Sequence, residues 1–143
     1  MNDAKLAALC GYLGCEPDDL KEESYDHYGL ELYAHGNKSY AIGTEKEVNE
    51  AAKSYIEGSI WAFNASFILQ HCDLPLELED AIRFLQEKKC EDANDALLAL
   101  VNKCGDLDTF VEEAISADGR SHFLGAYDGD ENEQDGFYIY RIN

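Results

Sequence analysis

The sequence predicts an α+β fold: a helical core around a long central helix, with two β-hairpins that form a small antiparallel sheet. Three observations carry this. Apolar residues between 44 and 72 recur at steps of three and four, as on one face of a helix. Two other stretches, 28–43 and 121–142, run as short apolar and aromatic segments around turn-forming residues. The segments between 73 and 117 return to the helical period, with connections only a few residues long, so neighbouring helices should pack roughly antiparallel.

From the N-terminus, Leu6, Ala7, Leu9, Cys10 and Leu13 suit a short helix opened at Asp3 and stopped near Gly14. Glu16-Pro17-Asp18-Asp19-Leu20 reads as a second, acidic helix start with proline in its first turn, ending before Tyr25. Between Tyr28 and Gly43, Leu30, Leu32 and Ala34 alternate with Glu31 and Tyr33, and Tyr40-Ala41-Ile42 follows. His35-Gly36-Asn37-Lys38 supplies the turn, because glycine and asparagine tolerate positive φ; this is the first hairpin.

The central helix is expected from Thr44 to Cys72. Thr44 and Glu47 have the spacing of a capping box, in which hydroxyl and carboxylate each accept from the other's backbone N–H. Val48, Ala52, Tyr55, Ile56, Ser59, Ile60, Phe63 and Phe67 form the buried stripe. Trp61, Ala65, Ile68 and Cys72 add a second apolar line, so the helix should be buried nearly all round at its end. Gly58 is a local weakness of about 1 kcal/mol against alanine. Asn64, Ser66 and Gln70 interrupt the apolar run, which is too short to span a bilayer and therefore reads as core.

Three short helices are expected next. Asp73 to Lys89 turns Leu78, Ala81, Ile82 and Leu85 inward. Asp92 to Lys103 is capped by Asp92, buries Ala93, Ala96, Leu97, Leu100, Val101 and Cys104, and stops at Gly105. Asp106 to Ala117 buries Leu107, Phe110, Val111, Ala114 and Ile115 and closes at Gly119. The second hairpin is expected from two aromatic-rich runs, Ser121 to Tyr127 and Gly136 to Ile142, joined by the acidic connector Asp128-Gly129-Asp130-Glu131-Asn132-Glu133-Gln134-Asp135.

At 143 residues the chain is read as one domain, with no internal repeat or linker. The nine tyrosines, six phenylalanines and 45% hydrophobic content argue against disorder. Five cysteines, an odd number with no Cys-x-x-Cys pair, point to free thiols in a reducing compartment rather than disulfides or structural zinc. With no basic-then-apolar N-terminal segment, a cytoplasmic location is expected and no membrane association.

Thirty acidic residues against eleven basic ones give a formal net charge of −19, distributed along the whole chain. Such a surface repels phosphate, so direct nucleic-acid binding is not expected. Tyr25, Tyr28, Tyr33 and Tyr40 cluster near His27, but among Glu22, Glu23, Asp26 and Glu31; half-buried sheet tyrosines explain them better than base-stacking platforms.

Two local patterns suggest chemistry and fall short. Asp128-x-Asp130-x-Asn132 begins like a calcium loop, yet its sixth position is Glu133 rather than glycine and its twelfth is Ile139 rather than a bidentate glutamate. Asp118-Gly119-Arg120-Ser121-His122 places an acid near a histidine on a turn that should enter a strand. As a site it would use His122 as general base oriented by Asp118, but no nucleophile is marked; local pairing of Arg120 with the acids around it is the simpler reading. No catalytic residue, metal ligand or cofactor motif is assigned.

Several segments together resemble a group of small acidic proteins of bacteriophages and prophages. They are Ile115-Ser116-Ala117-Asp118-Gly119-Arg120-Ser121-His122-Phe123-Leu124, then Tyr127-Asp128-Gly129, the ending Phe137-Tyr138-Ile139-Tyr140-Arg141-Ile142-Asn143, and Glu57-Gly58-Ser59-Ile60-Trp61-Ala62-Phe63-Asn64. The chain departs from that pattern at Ser121, where the group usually has glycine. The resemblance implies a phage origin, action inside a bacterial host and no cofactor; it carries no catalytic residues across.

Charge and resemblance together lead to the expectation of an acidic inhibitor of a host or defence protein. Its carboxylates would stand in for phosphates at a basic, nucleic-acid-binding surface. The residues expected to do this are Asp118, Asp128, Asp130, Glu131, Glu133 and Asp135, with Asp92 and Asp95. The alternatives are a phage accessory or structural protein whose acidity serves only solubility, and a small enzyme centred on His122. The oligomeric state is left open.

Overall fold

The expected small antiparallel sheet forms, with five strands rather than the four of two hairpins. The computed structural model describes residues 3–143. Strands β1 (Lys21–Glu22), β2 (Glu31–His35), β3 (Lys38–Gly43), β4 (Asn132–Gln134) and β5 (Phe137–Arg141) lie in the order β1-β2-β3-β5-β4, every neighbouring pair antiparallel. The first hairpin is β2–β3 with Gly36 at φ 64°, as its turn chemistry predicts. Helix α1 (Asp3–Leu13) lays Ala8 and Leu9 against Tyr33, Tyr40, Ile42 and Ile139, the residues that share one sheet face. Leu32, Ala41 and Tyr140 of the opposite face are also buried.

The expected helix after Glu16 is only a single 3-10 turn, Pro17–Asp19. The Asp19 carboxylate accepts the Glu16 N–H at 3.0 Å, and Leu20 already has extended backbone that leads into β1. Local side-chain capture thus replaces a helix that had almost no apolar stripe to bury.

The second hairpin differs from expectation. Its first strand is not Ser121–Tyr127 but β4, paired with β5 through Asp135 and Gly136 at φ 54° and 82°. Two successive positive φ values suit an Asp-Gly turn. Residues Arg120–Leu124 form a short helix, α7, which buries Phe123 and Leu124. His122 is therefore an exposed helical residue, not the first residue of a strand.

The chain divides into two compact units: the first runs up to Tyr55 and resumes at Asp118, and the second is Ile56–Ala117. The second is helical. The expected continuous helix from Thr44 to Cys72 is broken. Its start is as expected: the Thr44 N–H donates to Glu47 Oε1 at 2.9 Å and the Glu47 N–H to Thr44 Oγ1 at 3.2 Å. Helix α2 then ends at Gly58; a 3-10 turn covers Ile60–Ala62, Phe63 is extended, and α3 spans Ala65–Gln70.

A break inside a core frees backbone groups that must find partners. Two amides supply them. Asn94 accepts the Trp61 N–H at 3.1 Å and donates to the Glu57 carbonyl at 2.8 Å, while Gln86 donates to the carbonyls of Trp61 and Phe63. The break also brings Phe63, Phe67 and Phe110 into edge and stacked contact, with ring centroids 4.9 to 5.8 Å apart.

The remaining helices are α4 (Glu79–Lys89), after a 3-10 turn at Leu76–Leu78, α5 (Asn94–Cys104), after a 3-10 turn at Cys90–Ala93, and α6 (Leu107–Asp118). Asp92 lies inside its 3-10 turn and caps nothing. Ile82, Leu97, Val101, Phe110, Val111 and Ala114 are buried as the spacing predicts, whereas Ala81 and Ala96 face outward. All five cysteines are free thiols.

Candidate functional site

The acidic segment that ends the first unit is built on a clamp. Gly119, at φ 84°, turns the chain from α6 into α7 and presents Arg120 to the segment ahead. Arg120 Nε and its second terminal nitrogen donate to the two carboxylate oxygens of Glu131, each at 3.1 Å, and its other terminal nitrogen donates to Asn49 Oδ1 at 2.9 Å. The guanidinium also lies over the Tyr138 ring, 4.6 Å from its centroid. The Tyr140 hydroxyl donates to Glu131 as well. Burial first, then this hydrogen bond and the Glu131 charge, push the Tyr140 phenol well above its ordinary pKa, so it stays an O–H donor.

The loop is anchored a second time at Gly125, where a Cβ would stand 2.9 Å from the Ser121 carbonyl and 3.1 Å from the Asp130 backbone. Only glycine lets the two backbones approach this closely. Asp128 Oδ1 accepts the Asp130 N–H at 3.0 Å, closing a local turn.

Glu131, expected among the partner-binding acids, also anchors the loop, its charge matched by Arg120 while its residue stays partly exposed. The other five acids of this unit that were expected to bind a partner are exposed: Asp118 at the end of α6, Asp128 and Asp130 in the turn, and Glu133 and Asp135 at the β4–β5 hairpin. Among the described residues none of these five is in an ion pair. Asp92 and Asp95 are exposed too and belong to the second unit.

Two aromatic residues accompany the acids. Tyr12 on α1 is exposed and titrates above its ordinary value, through partial burial first and then Tyr40, Asp128 and Asp130. Tyr127 immediately precedes the turn, with the Arg141 guanidinium 3.7 Å from its ring centroid. Sequence spacing alone does not bring Tyr12 to the loop. The contact of Gly11 with Gln134, at 3.2 Å from a Cβ position, is made through the fold.

His122 makes no hydrogen bond with Asp118; its ring meets Phe123 edge-on at 5.0 Å. The pair does not form the acid–base arrangement that the sequence suggested. In the second unit, an open cleft of about 540 Å³ is lined by His71, Cys72, Asp73, Cys104, Asp106 and Glu113, among others. Both ring nitrogens of His71 already face acceptors, the Phe67 carbonyl at 2.9 Å and the Glu113 carboxylate at 2.6 Å, so the ring is fully engaged. Among the described residues no group of three or more His, Cys, Asp and Glu side chains could hold a metal ion. Nor is any helix among them long and apolar enough to cross a membrane.

The fold and the loop together define a strongly acidic α+β protein with a braced, unpaired carboxylate turn. No family model, curated protein or solved structure matches the chain.

Proposed function

We propose that this is a phage-encoded acidic protein that acts in the bacterial host cytoplasm by binding a host or defence protein at a basic surface that normally holds nucleic acid. The observation that supports this reading is the braced turn: Asp118, Asp128, Asp130, Glu133 and Asp135 are exposed and, among the described residues, in no ion pair, on a segment held by the Arg120–Glu131 clamp. A rigid set of carboxylates loses less entropy on docking than a flexible acidic tail. Its field, added to the net charge of −19, steers a cationic partner. Tyr12 and Tyr127 supply the aromatic contacts that anchor protein interfaces. In this reading the protein needs no cofactor, does no catalysis and does not itself touch nucleic acid.

A tagged chain incubated with bacterial lysate tests this. The reading requires a DNA- or RNA-binding protein retained at low salt, released at high salt and displaced by added nucleic acid. Retention that survives both treatments overturns it.

A second reading has its own observation. Leu76 is 73% exposed and Phe84 62%, with Leu78 also exposed, all in the second unit. An accessory or structural protein that associates through this apolar surface, its acidity serving solubility, would show salt-tolerant binding.

A further inference from the structure

Helix α4 reads Glu79-Asp80-Ala81-Ile82-Arg83-Phe84-Leu85-Gln86-Glu87-Lys88-Lys89. Its inner side carries buried Ile82. Its outer side carries Asp80, Phe84 and Lys88 at successive steps of four, beside Ala81 and Glu87, and all five are exposed. Phe84 is the large apolar residue at the centre of this face, and the Lys88 ammonium lies 5.8 Å from its ring centroid.

The charges are placed symmetrically about Phe84. Asp80 lies four residues before it and Lys88 four residues after it. An antiparallel copy of the same helix, related by a two-fold axis at Phe84, therefore sets each Asp80 opposite the other copy's Lys88. A parallel copy would set like charges together. Asp80 uses only Oδ1 for Arg83, at 2.9 Å, which leaves Oδ2 for a second cation. The acidic and basic residues of α4 balance, so the helix itself adds no net charge to the repulsion that a net charge of −19 sets against self-association.

We infer that this face of α4 is a homodimer interface, a two-fold antiparallel helix pair centred on Phe84 with reciprocal Asp80–Lys88 ion pairs. Both copies present the same patch, as a closed two-fold interface requires. The phenylalanine rings supply the apolar burial. The exposed ion pairs add little energy and fix direction and register. The inference does not rest on the acidic loop, which belongs to the other unit.

Sedimentation of the full chain across a concentration series tests it, with circular dichroism to check folding. The wild type should show a reversible monomer–dimer equilibrium, and Phe84→Asp should be monomeric. Asp80→Lys and Lys88→Glu should each weaken dimerisation by about tenfold, through like charges set face to face. Mixing these two singly reversed chains should restore a dimer containing one of each. A wild type that stays monomeric at millimolar concentration overturns the proposal. So does a dimer indifferent to Phe84→Asp, and a mixture with no recovered heterodimer overturns the antiparallel register.

Discussion

Arg120 holds both carboxylate oxygens of Glu131, eleven residues further along the chain, at 3.1 Å each. The pair divides the acidic segment by role: Glu131, itself partly exposed, is held by Arg120 as an anchor, and the acids on either side of it are, among the described residues, in no ion pair. A bidentate guanidinium–carboxylate pair fixes direction as well as distance. The Arg120 side chain is only 15% exposed and that of Glu131 29%, so solvent screens the pair less than an ordinary surface bridge.

Replacing Arg120 with alanine should cost about 1.5–3 kcal/mol in urea unfolding, because Glu131 loses its two charge-assisted hydrogen bonds. Arg120→Lys should recover only part of this, since an ammonium cannot hold Asn49 and both Glu131 oxygens in the same planar geometry. Amide exchange at residues 128–131 should speed up in both variants.

Two glycines should respond oppositely to alanine. At Gly105 a Cβ would stand 1.5 Å from the His71 carbonyl oxygen, so Gly105→Ala should cost several kcal/mol or prevent the second unit from folding. At Gly58, the last residue of α2, nothing beyond its own helix backbone and chain neighbours lies within 4 Å of the Cβ position, and Gly58→Ala should add about 0.4–1 kcal/mol. Thermal unfolding of the two variants checks both signs.

Much of this architecture was legible in the sequence, and the failures have identifiable causes. The capping box at Thr44 and Glu47, the Gly36-Asn37 turn and the Gly14 stop of α1 are local devices, and each acts where its spacing says. The continuous central helix failed because Asn94 and Gln86, more than twenty residues away, satisfy the backbone groups of a break. Nothing within residues 44–72 announces those partners. The misplaced hairpin is different: Asp135-Gly136 is itself a strong turn signal, and it ends β4 inside what the acidic composition of 128–135 presents as one long loop. For the site, the exposure of five acids follows from their chemistry. The capture of Glu131 and the approach of Tyr12 depend on tertiary contacts that no spacing encodes.

Lys5 is 4% exposed and binds Glu47 at 2.9 Å, with Glu31 at 3.7 Å. Leaving the buried Lys5 charge without Glu47 should cost more than replacing Lys5 with an apolar chain of similar length, because the Glu47 side chain, 39% exposed, can still be solvated. Glu47→Gln should therefore lose about 1–3 kcal/mol, including part of the helix cap, whereas Lys5→Met should change stability by less than about 1 kcal/mol. Urea midpoints of the two variants decide this.

Acid sensitivity should trace in part to His27. Burial lowers its pKa, against the raising effects of the Leu124 carbonyl, which its Nε2 meets at 2.9 Å, and of Asp26. The folded state thus binds this proton less readily than the unfolded chain. The stabilisation is complete above the ordinary histidine pKa of about 6.5 and is lost as pH falls below it towards the folded value. Carboxylate protonation relieves self-repulsion further down the same scale, so the comparison must be between variants. The difference in stability between wild type and His27→Gln should shrink as pH falls below about 6.5.

The most direct measurement of the central claim compares capture from bacterial lysate by wild type and by a chain carrying Asp118→Asn, Asp128→Asn, Asp130→Asn, Glu133→Gln and Asp135→Asn, with Glu131 and its clamp intact. The account predicts that wild type retains a nucleic-acid-binding protein displaced by DNA or RNA, and that the folded fivefold variant loses it. Equal retention by both chains, or a retained partner indifferent to nucleic acid, would contradict it.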